Sequence, residues 1–353
     1  MGDGGVLARA DALSDQASSF VVSSVAENTQ TAYESDWRSF TRWCQTRGAV
    51  PLPAEPVTVA NYLADQATSL KPATLDRRVA AINKVHTLRG ITPPGADPVV
   101  RTVLAGIHRE KGTRPRRMTP LLMDDLRVVL GALDFEHYPA AIAARRDACL
   151  LLFGFAGAFR RSELAALLPA DVTMVLSDGL HVLVERSKTD QEGTGLVKAL
   201  PYGTSPLTCP VCAYRRWMQL LSAPHRSVVL RLIANPAHGH VCRDEPLPLP
   251  DDVLNQPLFP PVDRHGTIGH GWRLSGQGVA AVVQRRLAAV RGGDSRGYGA
   301  HSLRAGFVTE ALRAGATGHQ VMRQTGMRSP GTVAVYDREQ APLRGNAVTK
   351  VGL

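Results

Sequence analysis

Apolar residues between positions 28 and 108 recur with the period of a helix. The first stripe is aromatic, and its members lie three or four residues apart, which places them on one helical face: Tyr33, Trp37, Phe40 and Trp43. Three further stripes follow, each opening at a proline, a residue favoured in the first turn of a helix. These prolines are Pro56, Pro72 and Pro98. The pattern predicts a compact domain of four helices over residues 25–108.

Two segments without periodicity flank this domain. Residues 1–24 are rich in Gly, Ala, Ser and Asp, so we expect a flexible N-terminal lead that buries too little apolar surface to fold. Residues 109–117 carry five positive charges and one negative charge, interrupted by Gly112 and Pro115. We interpret 109–118 as a basic linker suited to DNA phosphates. A solvated linker without a binding role is the alternative.

Residues 119–353 predict a second, mostly helical domain. The apolar run that begins at Cys149 indicates a buried helix, which we place over 145–155. Alternating apolar residues after the Asp178-Gly179 turn, followed by a second apolar segment at 196–201, predict a β-hairpin. Residues 222–262 are dense in Pro and His and predict a long surface insertion. The fold class is therefore mainly α, with a small antiparallel β-sheet or hairpin in the second domain.

Charge narrows the choice of partner. Lys and Arg number 41 against 31 Asp and Glu, which leaves a formal charge of +10 and favours a polyanion, nucleic acid first. The longest apolar run, 149–159, is shorter than the ~18 residues that a membrane span needs, so we expect no membrane partner. The N-terminus lacks an apolar signal core, and five cysteines, an odd number, fit a reducing compartment. We expect a cytoplasmic, nucleoid-associated protein.

Three short motifs in the second domain carry groups that can bind or attack phosphate. Residues 155–164 place Arg160 three positions before Glu163, directly after the buried helix. His301 and Arg304 are also three apart, which puts them on one helical face. The segment 329–336 begins with Ser-Pro, a helix start, and ends on Tyr336. Each motif alone is equally typical of a surface pair or of packing.

In this order, and with Lys188 on the predicted hairpin, these residues resemble the tyrosine recombinase or phage-type integrase family. Four stretches are similar to bacterial integrases: Arg-Ser-Lys-Thr-Asp at 186–190, Thr-Cys-Pro-Val at 208–211, His-Ser-Leu-Arg-Ala-Gly-Phe at 301–307 and Met-Arg-Gln-Thr-Gly at 322–326. The resemblance covers residue 28 to the C-terminus, with 222–250 as an insertion. It implies a core-binding domain followed by a catalytic domain, both acting on double-stranded DNA.

The resemblance also implies a role for each motif residue. Tyr336 would attack a DNA phosphate and form a 3′-phosphotyrosine, which conserves the bond energy for rejoining through a Holliday junction. Arg160 and Arg304 would match the negative charge of the transition state. Lys188 would protonate the leaving 5′ oxygen, and His301 would assist proton movement or bind the phosphate. No metal, ATP or other cofactor is needed, because the arginines supply the charge.

Two supporting positions qualify this assignment. Glu163 is expected to orient its neighbours. Met327 stands where the family has a His or Trp that donates a hydrogen bond to the phosphate, and a thioether cannot donate one. Losing one such donor costs on the order of 2–4 kcal/mol of transition-state stabilisation, unless water or Ser329 replaces it. The alternative is therefore a catalytically impaired recombinase-fold protein with a DNA-binding or architectural role.

Basic residues in and after the first domain are the candidate DNA contacts, because the resemblance makes this domain a DNA-binding one that inserts helices into the major groove. They are Arg38, Arg42, Arg77, Arg78, Lys84, Arg109 and Lys111. Each is as well explained as a solvated charge, and phosphate contacts should outnumber base contacts. The implied partners are a specific recombination site, three further protomers in a homotetramer, and accessory DNA-bending proteins. Residues 344–353 resemble the family's C-terminal helix, which docks on a neighbouring protomer; folding back on its own subunit is the alternative.

One group of Cys and His residues lies outside these motifs. It supplies enough nitrogen and sulfur for a tetrahedral zinc site: Cys209, Cys212, His238, His240 and Cys242. The spacing fits no standard zinc finger, and 209–211 lies in an integrase-like stretch. We therefore favour packing at a helix start over zinc binding, and expect no metal.

Overall fold

The computed structural model describes residues 27–112, 118–185, 195–235, 238–244, 247–293, 295–340 and 347–351. The expected flexible lead and residues 113–117 of the expected basic linker lie outside these residues. The chain divides into two compact units, residues 1–116 and 117–353. Among the described residues, no helix is both long and apolar enough to cross a membrane.

The first unit contains the four helices that the apolar stripes predict. They are α1 (Glu27–Arg47), α2 (Pro56–Ala67), α3 (Pro72–Leu88) and α4 (Pro98–Lys111), with a 3₁₀ turn at Pro94–Ala96. Their stripes meet in one core whose fully buried members include Phe40, Tyr62, Leu63, Leu75 and Ile82. Buried His86 donates from Nδ1 to the Ile82 carbonyl and accepts from the Ala54 amide at Nε2, which fastens the α1–α2 loop to α3.

Helix α4 continues further than the sequence suggests. It ends at Lys111 and is followed by Gly112, whose φ of 72° is a conformation that glycine adopts without steric cost. Arg109 and Lys111, expected in the linker, therefore lie in the last helical turn. Positive charge there is favourable, because the C-terminal end of a helix carries partial negative charge. The charge run that we interpreted as linker is in part a helix end.

The second unit is mixed and mostly helical, as predicted. Its described helices are α5 (Met123–Gly131), α6 (Ala140–Ala156), α7 (Arg161–Ala166), α8 (Pro210–Leu221), α9 (Arg226–Ala234), α10 (Asp251–Leu254), α11 (Gly276–Arg291), α12 (Ala300–Arg313), α13 (Gly318–Thr325) and α14 (Pro330–Gln340). Short 3₁₀ turns occupy Pro169–Asp171 and Ala347–Lys350. Helix α6 contains the predicted buried run and is covered on nearly all sides.

The sheet has three antiparallel strands in the order β1 (Val172–Val175), β2 (Gly179–Val184) and β3 (Leu196–Pro201). The predicted hairpin corresponds to β2 and β3, in which Leu180 pairs with Leu200. Strand β1 was not predicted, because its four residues are partly exposed and show no clear alternation. Gly179 closes the β1–β2 turn with a φ of 121°, and a Cβ there would lie 2.3 Å from the Leu200 carbonyl oxygen.

A buried charge cluster joins α6 to α11 within the main core. The Asp147 carboxylate, fully buried, accepts hydrogen bonds from Arg146 at 2.6 Å, Arg285 at 3.0 Å and Arg286 at 2.7 Å.

Helix α12 approaches the chain before α5 very closely, since a Cβ on Gly306 would lie 1.8 Å from the Leu121 carbonyl oxygen. The close approach at Gly306 restricts the position of α12, which carries His301 and Arg304.

The segment 222–262 differs from the expected surface insertion. It contains α9 and α10, and several of its apolar side chains are buried in the main core: Ile233, Val241, Cys242, Val253, Leu258 and Phe259. Trp217 of α8 donates from Nε1 to the Leu258 carbonyl at 2.7 Å. The buried residues are separated by Pro, His and charged residues, so the sequence gives no periodic signal of their burial.

Candidate active site

The turn between α6 and α7 positions Arg160 through Glu163. Arg160 caps α7, and the buried Glu163 carboxylate accepts from the Arg160 backbone amide at 2.9 Å and from its Nη1 at 2.5 Å. The carboxylate thus holds both the backbone and the guanidinium of the same arginine. These two contacts restrict the orientation of Arg160.

Arg304 reaches the same turn from α12. Its side chain is 2% exposed, and Nη1 donates to the carbonyl oxygens of Ala158 at 2.6 Å and Thr325 at 2.8 Å. Burial, and secondly the positive charge of Arg160, lower the pKa of Arg304 to about 10. The guanidinium stays protonated at neutral pH. Two arginines are therefore held close together, and the Glu163 carboxylate offsets only part of the effect of Arg160 on Arg304.

Ala158 adopts an unusual backbone conformation in this turn. Its φ is 45°, the left-handed region that residues with a Cβ rarely adopt. Its carbonyl oxygen accepts from both Arg304 and Lys198. Strained backbone of this kind persists where surrounding contacts enforce it, often at functional sites. The turn is thus shaped to direct a carbonyl toward two cations.

Lys198 is a member of this group that the sequence analysis did not identify. It lies on β3, is fully buried, and its Nζ donates to the carbonyls of Gly157 at 2.8 Å and Ala158 at 3.3 Å. Its Nζ is 3.8 Å from the Glu163 carboxylate. Burial lowers the pKa of Lys198 to about 7, although Glu163 opposes that shift. Near pH 7 about half of the Lys198 side chains are therefore neutral, and this lysine lies within electrostatic reach of both arginines.

Tyr336 and His301 are brought together from α14 and α12. The tyrosine hydroxyl lies 2.9 Å from Nε2 of His301, within hydrogen-bond distance. Tyr336 is 8% exposed, whereas His301 is exposed to solvent. The charge of a Tyr336 phenolate would raise the pKa of Arg304, which places the phenol within electrostatic reach of that guanidinium. A phenol, an imidazole and a guanidinium thus share one site.

Met327 supports the tyrosine by packing. It is 9% exposed and belongs to a small apolar cluster with Val321, Val333 and Tyr336, at the junction of α12, α13 and α14. Gln324, three residues earlier, donates to the carbonyls of Ala156 and Ala199 at 2.8 Å each, which joins α13 to α6 and β3. Met327 therefore contributes to the apolar surface against which Tyr336 packs.

The remaining predicted residues divide into three groups. Lys188 lies outside the described residues. Arg38, Arg42, Arg109 and Lys111 are exposed, and Lys84 is half-buried. Arg77 and Arg78 have partners within the first unit: Arg77 forms two hydrogen bonds to the buried Asp36, and Arg78 donates to Tyr62 and Gln66. Those two guanidiniums therefore have structural partners, which the charge pattern alone did not reveal.

Four of the five Cys and His residues singled out in the sequence come together. Ligand atoms of Cys209, Cys212, His240 and Cys242 all lie within 4.8 Å of one another. His238 is not among them. The expected helix-start packing is also present, since Cys209 caps α8 and its sulfur accepts from the Cys212 amide at 3.4 Å.

Sequence comparison decides the family. The chain is 33% identical over 331 residues to an integrase/recombinase XerD homolog of Selenomonas ruminantium, and the alignment spans 93% of this chain and 86% of the relative. The chain belongs to the tyrosine recombinase family. This recombinase is also 22% identical over 325 residues to the Cre recombinase of Escherichia phage P1, with 89% of this chain and 84% of Cre covered. No family model matches the chain.

Solved structures show that this recombinase shares the fold of known family members. The Tn1549 transposon integrase, in complex with transposon right end DNA, superposes with a TM-score of 0.57 at 13% identity, covering 92% of this chain and 94% of that chain. The XerH site-specific recombinase, bound to palindromic difH substrate, gives a TM-score of 0.53 at 16% identity, covering 84% and 72%. Both likenesses extend over most of the recombinase.

Proposed function

We propose that this recombinase is an active site-specific enzyme that cleaves and rejoins DNA through a covalent bond to Tyr336. The observation that carries the proposal is the Tyr336 hydroxyl, 2.9 Å from His301 Nε2 and beside the buried Arg304. The relatives support the choice of substrate, because the transposon integrase and XerH are bound to DNA in their structures. The formal charge of +10 is consistent with such a polyanion.

The cleavage step needs no reactant other than the protein and the DNA. The Tyr336 oxygen attacks phosphorus, the bond from phosphorus to the 5′ oxygen breaks, and a 3′-phosphotyrosine and a 5′ hydroxyl result. His301 accepts the phenolic proton through the observed hydrogen bond. Arg160 and Arg304 stabilise the charge on the nonbridging oxygens. A 5′ hydroxyl from a partner strand reverses the step, so strand exchange passes through a Holliday junction and consumes no ATP.

The proton for the leaving oxygen is assigned to Lys188, as the family resemblance implies. Lys198 is the second lysine to consider, but its Nζ is held by the carbonyls of Gly157 and Ala158. We therefore assign Lys198 a positioning role behind the arginines. The arginines provide the positive charge that a divalent ion provides in other phosphoryl-transfer enzymes. The chemical step accordingly proceeds without a metal at the phosphate.

Contacts between protomers are proposed at an apolar groove formed by α12, α13 and α14. Its lining includes Leu312, Met322, Pro330 and Val333. Residues 344–353 of a neighbouring protomer are the proposed occupant, and Val348 and Val351 in this segment are exposed. Such an exchange would link four protomers on two DNA sites. Deleting 344–353 should preserve cleavage of a single site and abolish synapsis in a gel-shift assay; unchanged synapsis would contradict the assignment.

Covalent trapping tests the enzymatic proposal. Duplexes tiled from the DNA flanking the gene carry a nick next to each candidate cleavage position, so that a cleaved end diffuses away and the adduct accumulates. Wild type in the presence of EDTA should give a shifted band on a denaturing gel, and Tyr336→Phe should give none while binding equally. DNA binding without any adduct in the wild type would favour the alternative, an impaired DNA-binding protein.

Met327→His separates a slow enzyme from an inactive one. A histidine there restores the donor that most relatives have, so a rise in adduct yield would show a working site limited by Met327. If neither wild type nor this variant formed an adduct on DNA that both of them bind, the enzymatic proposal would be contradicted.

A leaving-group substitution tests the proposed acid. A substrate with sulfur in place of the bridging 5′ oxygen needs no proton on departure, because a thiolate is a good leaving group. It should rescue cleavage by Lys188→Ala and should not rescue Lys198→Met. Rescue of Lys198→Met instead would transfer the acid role to the lysine on β3.

A further inference from the structure

Four side chains that take no part in the proposed chemistry converge at the start of α8. Cys209 and Cys212 belong to the first turn of that helix, whereas His240 and Cys242 come from the loop after α9. Their ligand atoms all lie within 4.8 Å of one another. We propose that these four residues bind one Zn²⁺ ion in a closed, structural site of three cysteines and one histidine.

The distances match the edges of a zinc tetrahedron. Nδ1 of His240 lies 3.4 Å from the sulfur of Cys212 and 3.5 Å from the sulfur of Cys242. With Zn–S of about 2.3 Å and Zn–N of about 2.0 Å, a tetrahedral ion sets sulfur and nitrogen about 3.5 Å apart and two sulfurs about 3.8 Å apart. The two measured edges already have this length, and the widest separation needs to contract by about 1 Å.

Outer contacts hold the ligand atoms in suitable orientations. Nε2 of His240 lies 3.4 Å from the Thr204 carbonyl oxygen, and donating to it leaves the Nδ1 lone pair directed at the cluster. The Cys209 sulfur accepts from the amides of Gly203 at 3.3 Å and Cys212 at 3.4 Å, an arrangement that favours a thiolate. Gly203 permits this approach, because a Cβ there would lie 2.6 Å from the Cys209 Cα.

Two cations flank the cluster. Arg216 donates to the Gly239 carbonyl at 2.6 Å and to the Pro206 carbonyl at 3.2 Å, which ties the loop before His240 to the chain before α8. Arg243, next to Cys242, lies over the Tyr202 ring at 4.8 Å. Three thiolates, a neutral imidazole and Zn²⁺ carry one net negative charge, which these guanidiniums offset.

The site would fasten the loop 238–244 to the start of α8. It connects the residues that follow β3, the start of α8 and the loop 238–244, a region with few regular backbone hydrogen bonds. The three cysteines are buried while His240 is exposed, so the ion can enter from the His240 side. Four protein ligands leave no open position for substrate, which makes the ion structural rather than catalytic.

Metal content and a cobalt spectrum test the proposal on the full-length protein. Protein purified under reducing conditions should contain one zinc per chain by mass spectrometry of the elements. Zinc-free protein titrated with Co²⁺ alone should develop the intense visible bands and sulfur charge-transfer band of tetrahedral thiolate coordination. Removing the zinc with a chelator should lower the midpoint of thermal unfolding, because metal binding energy contributes to folding.

A matched pair of variants locates the ion. His240→Ala should weaken zinc affinity by at least about 10-fold, since even outer-shell changes cost that much. His238→Ala, two residues away on the same loop, should leave affinity unchanged. Less than about 0.1 zinc per chain together with a pale octahedral cobalt spectrum would overturn the proposal, as would equal affinities in the two variants. The zinc content of the protein is also measured in the DNA cleavage assay that contains EDTA. This control shows whether EDTA has removed the structural ion, so that a loss of activity for that reason is not mistaken for a catalytic metal requirement.

Discussion

Lys198 should make the stability of the second unit depend on pH in a direction opposite to that of an ordinary paired lysine. Burial lowers its pKa from 10.5 to about 7 in the folded protein. Between those two values the unfolded chain binds more protons than the folded chain, so stability rises with pH across this window. Below the folded pKa, Lys198 is charged in both states, and the folded chain bears the full free-energy cost of burying the ammonium group. Above pH 10.5 the lysine is neutral in both states, so this cost has disappeared.

The size of the effect follows from the shift. Each pKa unit corresponds to about 1.4 kcal/mol, so wild type should gain on the order of 2 kcal/mol from this group between about pH 7.5 and about pH 9.5. Lys198→Met removes the titrating group and keeps an apolar stem against Phe159, over whose ring Nζ lies at 4.7 Å. The free energy of unfolding of wild type should therefore rise by that amount relative to that of the variant as the pH rises.

Denaturant unfolding at a series of pH values measures the difference. The free energy of unfolding of wild type minus that of Lys198→Met should increase with rising pH, whereas the matched change at an exposed lysine, Lys71→Met, should leave the curve parallel to wild type. Parallel curves for Lys198→Met and wild type would refute the argument, because they would show that Lys198 does not lose its proton within the window.

Further outcomes are expected from four single substitutions. Ala158→Gly should stabilise the protein by about 1 kcal/mol in thermal or denaturant unfolding, since glycine adopts positive φ without steric cost; a destabilised variant would contradict the strain. Met327→Ala should cost about 2–4 kcal/mol by leaving a cavity beside Tyr336, and should lower adduct yield; an unchanged unfolding midpoint would show that the packing is unimportant. Arg38→Ala should reduce the slope of log affinity for DNA against log salt concentration by about 1 and should leave the free energy of unfolding unchanged. Arg78→Ala should lower the free energy of unfolding by about 2 kcal/mol. If Arg78→Ala changed the salt slope and Arg38→Ala changed the stability, Arg78 would be the DNA contact and Arg38 the structural residue.

The helices of the first unit could be predicted because each has a clear apolar stripe and three of the four begin at a proline. Tyr336, His301, Arg160 and Arg304 could also be selected, since their order and spacing carry a family pattern. Their mutual distances could not, because they depend on how α12 packs against α6 and the turn at Ala158. The left-handed φ of Ala158 has no signal in a single sequence.

Lys198 was missed although a signal existed. Along β3 the buried positions alternate, and Lys198 shares the inward face with Leu200. A lysine on the buried face of a predicted strand indicates a partner or a function. The cysteine and histidine residues of the cluster could be picked out as possible ligands, but their convergence could not be predicted, because Cys212 and His240 are separated by most of α8 and by α9, whose path only the fold determines.

The central claim is that Tyr336 forms the bond to DNA, and peptide mass spectrometry of the trapped adduct tests it most directly. After nuclease and protease digestion, the account predicts a nucleotide on the peptide that contains Tyr336, and no nucleotide-bearing peptide from Tyr336→Phe. An adduct on another tyrosine, such as Tyr298 or Tyr202, would contradict the assignment of the nucleophile.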